Sequence, residues 1–136
     1  MYAAKRNLAD QYRRTAISAR VAEADPHQLV AMLFEGATQR IRRAQACLDQ
    51  GEIALKGKAI GEACAIIGHL NGSLDHEAGG QLAANLSSLY DYLVRRLTEA
   101  NLHNDRAALS ESLDLLGAVE AAWNSIPQAQ RSAVPS

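Results

Sequence analysis

Four histidines (His27, His69, His76, His103) and two cysteines (Cys47, Cys64) are the side chains of this 136-residue chain best suited to metal or nucleophilic chemistry. A tetrahedral metal site needs such ligands in short, paired spacings, and no histidine here stands with a second His or Cys at such a spacing. No metal ligands and no cofactor are expected. Asp75-His76-Glu77 could touch a cation, but the same run reads as a solvated helix end. No nucleophile elbow, phosphate-binding glycine loop or dinucleotide fingerprint is present, so no catalytic residue is assigned. His69-Leu70-Asn71-Gly72-Ser73 partly resembles a histidine phosphotransfer motif, in which a lysine and a glycine follow the histidine. Here the glycine comes three residues on rather than four. Asn71 stands where a lysine would help to neutralise a phosphoryl group. Arg13-Arg14, Arg40-Arg42-Arg43 and Arg95-Arg96 are basic clusters, but acidic residues are interleaved among them and the formal net charge is −1. That balance predicts neither a nucleic-acid nor an anionic-membrane partner.

These residues must be held by helices. The composition, by count, has 26 alanines and 17 leucines against one Phe and one Trp. Strands favour β-branched and aromatic residues, so an all-α fold is expected. Asp25-Pro26-His27-Gln28 reads as a helix start, with Asp25 as cap, Pro26 at the first helical position and Gln28 completing a capping box. Leu29, Leu33, Ala37, Ile41, Ala44 and Leu48 then form one apolar stripe, ending before Asp49-Gln50-Gly51. Ile60, Ala63, Ile67, Leu70 and Leu74 mark a second helix, expected to stop before Gly79-Gly80. Leu82, Leu86, Leu89, Leu93, Leu97 and Ala100 mark a third. Leu109, Leu113, Leu116, Val119, Trp123 and Ile126 mark a fourth, capped by Asp105. Four such stripes hide one another in an antiparallel four-helix bundle over residues 25–126. Residues 1–24 read as a mobile or loosely docked N-terminal arm or short extra helix, and 127–136 as a disordered tail. No stretch is long and apolar enough to cross a membrane, and residues 1–10 lack a signal-peptide core, so a cytoplasmic protein is expected. The two cysteines then read as small reduced core residues.

The second helix carries a feature its core stripe does not require. Gly57, Gly61, Gly68 and Gly72 lie within roughly 60° of one another around the helix, with Cys64 on the same strip. Each interior glycine costs about 1 kcal/mol relative to alanine. Two readings remain open: a bulky neighbour such as the helix of Trp123 fills the channel, or the channel receives an incoming amphipathic helix.

Three strings carry a resemblance: Asp25-Pro-His-Gln-Leu-Val-Ala-Met-Leu-Phe-Glu-Gly-Ala37, Gly79-Gly-Gln-Leu-Ala-Ala-Asn-Leu-Ser-Ser-Leu-Tyr-Asp-Tyr-Leu93, and Arg95-Arg-Leu-Thr-Glu-Ala-Asn-Leu-His-Asn-Asp105. With Met1-Tyr2, Tyr12 and Ala122-Trp123 they resemble the FliS family of flagellin export chaperones across nearly the whole chain. Phe34-Glu35 stand where that family usually has Tyr-Asp, and the spacing around Tyr12 is altered. The resemblance implies a cytoplasmic chaperone that binds the disordered carboxy-terminal segment of flagellin, stops early polymerisation and delivers it to the flagellar type III export gate. It also implies an arm that caps the client surface. A competing arm would be held through Tyr2, Leu8 and Tyr12. Client-binding candidates are Gly57, Gly61, Cys64, Gly68 and Gly72 on the second helix, with Leu86, Leu89, Tyr90, Tyr92 and Leu93 on the third; Asn85 and Asn101 are placed to pin a client backbone. Tyr90 and Tyr92 are assigned to a rim, where a ring and a hydroxyl can both serve. The alternatives are phosphotransfer through His69 and a bundle whose groove serves homodimerisation or another regulator.

Overall fold

Asp25 caps the first helix as its type and position require: its carboxylate accepts from the Gln28 backbone N–H at 2.7 Å, and the Gln28 side chain accepts from the Asp25 N–H at 3.2 Å. From this start a computed structural model, which describes residues 25–126, runs through four helices. They are α1 (Pro26–Asp49), α2 (Ile53–Gly72), α3 (His76–His103) and α4 (Arg106–Ser125). Asp75 and Asp105 cap α3 and α4 in the same way, accepting from Ala78 and Ala108 N–H groups. The segments expected as arm and tail, with Tyr2, Leu8 and Tyr12, lie outside the described residues.

The connections are short and the helices antiparallel. Each helix packs on its chain neighbours and α4 closes back on α1, with α1 against α2 the largest contact. The all-α four-helix bundle expected from the stripes is what forms. Its core takes Phe34, Ile41, Ile67, Leu93, Leu97, Leu109 and Leu116, interleaved with fully buried alanines on all four helices.

Two boundaries differ from the sequence reading. The second helix ends at Gly72 rather than near Gly79, because Asp75 caps a new helix while Leu74, though past the helix end, remains buried in the turn. Gly79-Gly80 therefore falls inside α3, where Gly80 at φ 51°, ψ −124° kinks the first turn. That conformation suits a residue without Cβ. Leu82, expected in the core stripe, is 47% exposed just beyond the kink, and Ala83 and Tyr90 take buried places instead.

The α2–α3 contact at the far end of the bundle is fastened by a buried lysine. Lys56, 2% exposed, donates from Nζ to the Asn101 carbonyl at 2.9 Å and to Asn104 Oδ1. Asn104 ends α3 in the left-handed conformation, φ 51°, and its N–H returns to the Ala100 carbonyl. The ammonium thus sits at the negative end of α3. Nearby, Arg106 donates two hydrogen bonds to Asp49, at 2.8 and 3.0 Å, tying α4 to the end of α1. Lys56→Met keeps the side-chain volume and removes the cation, leaving the Asn101 carbonyl without this donor. Urea titration is expected to show a loss of about 1.5–3 kcal/mol, the range for a charge-assisted hydrogen bond. An unchanged midpoint would show that the lysine contributes packing alone.

Candidate functional site

At the opposite end of the bundle, His27 and Trp123 stack with ring centroids 4.6 Å apart and planes inclined by 13°. Each also bonds the other's backbone: His27 Nε2 donates to the Trp123 carbonyl at 3.1 Å, and Trp123 Nε1 donates to the His27 carbonyl at 3.2 Å. This clasp joins the first turn of α1 to the last turn of α4. Above it lies an apolar cavity of about 100 Å³, walled by Val30, Phe34, Leu70, Leu86, Tyr90 and Trp123 among others.

A larger groove, about 560 Å³, opens on the outer face of α1 and α2. Pro26, Leu29, Met32, Leu33, Gly36 and Arg40 line it from α1, and Ile66 and His69 from α2. Val30 and Ser73 line both cavities, so the two adjoin. The sequence reading placed Leu29 and Leu33 in the core; both are only half-buried. The available signal was the run Leu29-Val30-Ala31-Met32-Leu33-Phe34. Six consecutive apolar residues cover more of a helix than one core stripe needs. Gly36 keeps the floor low, since a Cβ there would meet Ile66 Cδ1 at 3.4 Å.

Among the described residues the glycine strip is open: a Cβ at Gly61, Gly68 or Gly72 would meet nothing within 4 Å, and Trp123 is packed elsewhere against His27. Only Gly57 faces a neighbour, Asn101 Oδ1, at 3.4 Å, which places that end of the strip beside α3. Cys64 is half-buried, and burial pushes its thiol pKa up.

Apart from Asn101 beside Gly57, the α3 candidates do not line up opposite this strip. Tyr90 is not on a rim: it is 2% exposed, lines the end cavity, and burial raises its hydroxyl pKa to about 12. Leu93 is fully buried, Leu89 half-buried against the core, and Leu86 is a wall of the end cavity. Tyr92 turns toward α4, donating to Glu111 Oε1 at 2.8 Å. Arg96 donates to the same oxygen at 2.7 Å and to Glu99 at 2.7 Å. Asn85 accepts from Gln81 at 2.8 Å and is exposed, as is Asn101. The single groove expected from the sequence is therefore divided among a glycine face, an end cavity and the α1–α2 groove.

The four histidines do not converge: His27 is clasped to Trp123, His69 is on the groove, and His76 and His103 stand at opposite ends of α3. Among the described residues, no three His, Cys, Asp or Glu side chains gather, and no helix is long and apolar enough to cross a membrane.

Residues 8–130 match the family model described as flagellar protein FliS. The flagellar secretion chaperone FliS of Salmonella typhimurium is 45% identical over 116 residues, covering 85% of this chain and 86% of that protein. FliSB of Pseudomonas aeruginosa, also a flagellar secretion chaperone, is 42% identical over 126 residues, covering 93% and 98%. The FliS chaperone of Escherichia coli is 39% identical over 124 residues, 90% of each chain.

Two measurements check this geometry. Gly68→Ala should raise stability by about 1 kcal/mol, because the added methyl meets open space and the helix gains propensity; destabilisation would mean that something packs on the strip. The second is pH-dependent. Hydrogen bonds from Arg96 and then Tyr92 hold the Glu111 pKa below its ordinary 4.5. A carboxylate lowered in the folded state contributes stability that is present above its unfolded value and lost as pH falls through the folded one. Stability should therefore fall more steeply below about pH 4.5 in the parent than in Glu111→Gln; equal slopes would show that this network is energetically silent.

Proposed function

The chain belongs to the FliS family, and we propose that it is a cytoplasmic export chaperone for flagellin. In this reading it binds the carboxy-terminal segment of flagellin, keeps it from polymerising early and delivers it to the flagellar type III export gate. The observation that carries the reading is the α1–α2 groove. Leu29, Met32, Leu33 and Ile66 form an apolar trough that the described bundle leaves unfilled, with the end cavity adjoining it through Val30. A segment that becomes helical can lay its apolar face into such a trough. Coupled folding of this kind buries about 1,000–3,000 Å² and costs roughly 2–5 kcal/mol in ordering. A trough already formed on a rigid bundle adds little to that cost.

The glycine face of Gly57, Gly61, Cys64, Gly68 and Gly72, with Asn101 beside it, is the second contact in this proposal. A wrapping client reaches it after crossing the bundle end. The segment before Asp25, carrying Tyr2, Leu8 and Tyr12, competes for the same trough, since it joins α1 where Pro26 lines the groove. Such competition lowers client affinity by the free energy of the arm's own docking and so keeps release feasible. No turnover is assigned.

Titrating the protein with the final ~50 residues of flagellin, a length set by the reach of a wrapping segment, should give a 1:1 complex and new helical circular dichroism. Met32→Asp, which puts a charge on the trough wall, should weaken that complex roughly tenfold or more while leaving the free protein folded. Gly68→Leu should weaken it too if the glycine face is touched; unchanged affinity confines the client to the α1–α2 side. Self-association without client uptake would replace this reading with the homodimer.

A further inference from the structure

The arginines of the described bundle fall into two groups. Arg43, Arg96 and Arg106 each meet a carboxylate: Glu62 at 4.0 Å, Glu99 and Glu111 at 2.7 Å, and Asp49 at 2.8 Å. Arg42 and Arg95 are exposed to water, which solvates them. Arg40 belongs with neither. It is half-buried on the groove; among the described residues its Nε is shut away from solvent with no hydrogen-bond partner, and the hydrogen bond its guanidinium makes is a long one of 3.5 Å to the Gly36 carbonyl. Acidic side chains on the two helices that wall the groove are engaged with other residues. Glu35 accepts from Gln39 and Glu62 faces Arg43. Among the described residues, no Asp or Glu lines the groove, whose other polar residues are His69 and Ser73.

A guanidinium partly removed from water and left without an anion is an unspent recognition element. It gains most from a planar carboxylate that can meet its fork of donors. Gly36 keeps space open at this point: a Cβ there would approach Arg40 Nη1 at 3.8 Å and Ile66 Cδ1 at 3.4 Å. Leu29 lies about three turns and Leu33 about two turns N-terminal to Arg40 on the same helix. The groove therefore presents an apolar floor with a single fixed cation at one end.

We propose that Arg40 is a specificity-determining residue of the groove, and that it pairs with an Asp or Glu side chain on the apolar helical segment lying across Leu29, Leu33 and Ile66. This rests on the client-binding reading and adds to it a chemical requirement: an acidic residue about two turns along from the segment's apolar anchors. The cation selects register, while the floor supplies most of the affinity.

The test measures binding of the flagellin carboxy-terminal segment, and of versions in which each Asp or Glu is changed singly to Asn or Gln. Binding partners are the parent protein, Arg40→Gln and Arg40→Lys, at low and high salt. Arg40→Gln should weaken the unmodified segment roughly 10- to 100-fold at low salt, and less at high salt. Arg40→Lys should recover only part of the loss, since it keeps the charge without the fork. One segment variant should lose as much against the parent protein and lose nothing further against Arg40→Gln, the signature of a direct pair. Because that variant leaves the chaperone untouched, a folding defect in the Arg40 variants cannot mimic it. Binding by Arg40→Gln within twofold of the parent overturns the proposal, as does strict additivity for every acidic position. Those results leave the client reading standing, whereas failure of the parent protein to bind any segment overturns both.

Discussion

The close approach of the helices on an alanine core is the constraint on which the rest of the structure depends. Ala37, Ala44, Ala59, Ala63, Ala83, Ala100 and Ala108 are all 1% exposed or less. Where two helices meet through methyl groups their axes come nearer, and less space remains between them for large side chains. The α1–α2 pair, with Ala37 and Ala44 on one side and Ala59 and Ala63 on the other, is the extreme case. A thin core holds only part of the apolar material that the chain carries. Leu33 and Ile66 are pushed to its margin, half in and half out, and Leu29 is only half-buried. The external groove is thus a consequence of how the interior is filled.

The two ends of the bundle are fastened by different physics. At one end the ties are polar: the buried Lys56 on the terminus of α3, and the Asp49–Arg106 pair. The Asp49–Arg106 pair is exposed, so despite its fork geometry it adds little to stability. Lys56 is the stronger fixture, because its ammonium is out of water and bonded to a carbonyl and an amide. At the other end the ties are the stacked His27–Trp123 clasp and apolar contacts around Val30, Phe34, Leu70 and Leu74. The end cavity and the groove both lie toward this apolar end, where a visiting side chain displaces no ion pair. Tyr90 exemplifies the difference. Its ring fills the wall of the cavity, and burial opposes ionisation of its hydroxyl.

Much of the fold was legible because local chemistry and periodicity agreed. Asp25-Pro26-His27-Gln28 and Asp105 mark helix starts through capping that needs no tertiary context. Ile60, Ala63, Ile67, Leu70 and Leu74 are all buried as their spacing requires. The failures came where two local signals competed. Leu74 continues the apolar period of α2, but Asp75 caps α3, and the cap prevailed because it satisfies orphan N–H groups that periodicity ignores. Lys56 gave no sequence signal, since its partners are a carbonyl and an amide 45 and 48 residues away. The candidate site was legible as residues but not as walls. Among the described residues the glycine strip is open apart from Asn101 beside Gly57, yet the leucines and tyrosines of α3 proposed to face it point into the core, into the end cavity or toward α4. A one-residue rotation of the helix face is enough to do this, and spacing alone does not fix that rotation.

A groove that is apolar along its floor presents a problem that area cannot solve. Hydrophobic contact is non-directional, and an amphipathic helix shifted by one turn, about 5.4 Å, offers nearly the same apolar surface to the same trough. Affinity can then be high while register is undefined, and a client held in several registers exposes different segments in each. A polar contact breaks this degeneracy, because a charge that is matched in one register is left unmatched in the next. On this bundle the formal net charge of −1 conceals how the charges are arranged. The carboxylates that meet arginines are committed to ties between or along helices, and among the described residues the groove is left with a guanidinium and no acid. On the proposed client-binding reading, that arrangement would let the apolar floor stay permissive toward sequence while one position stays selective, a division suited to a surface that both holds a segment and releases it.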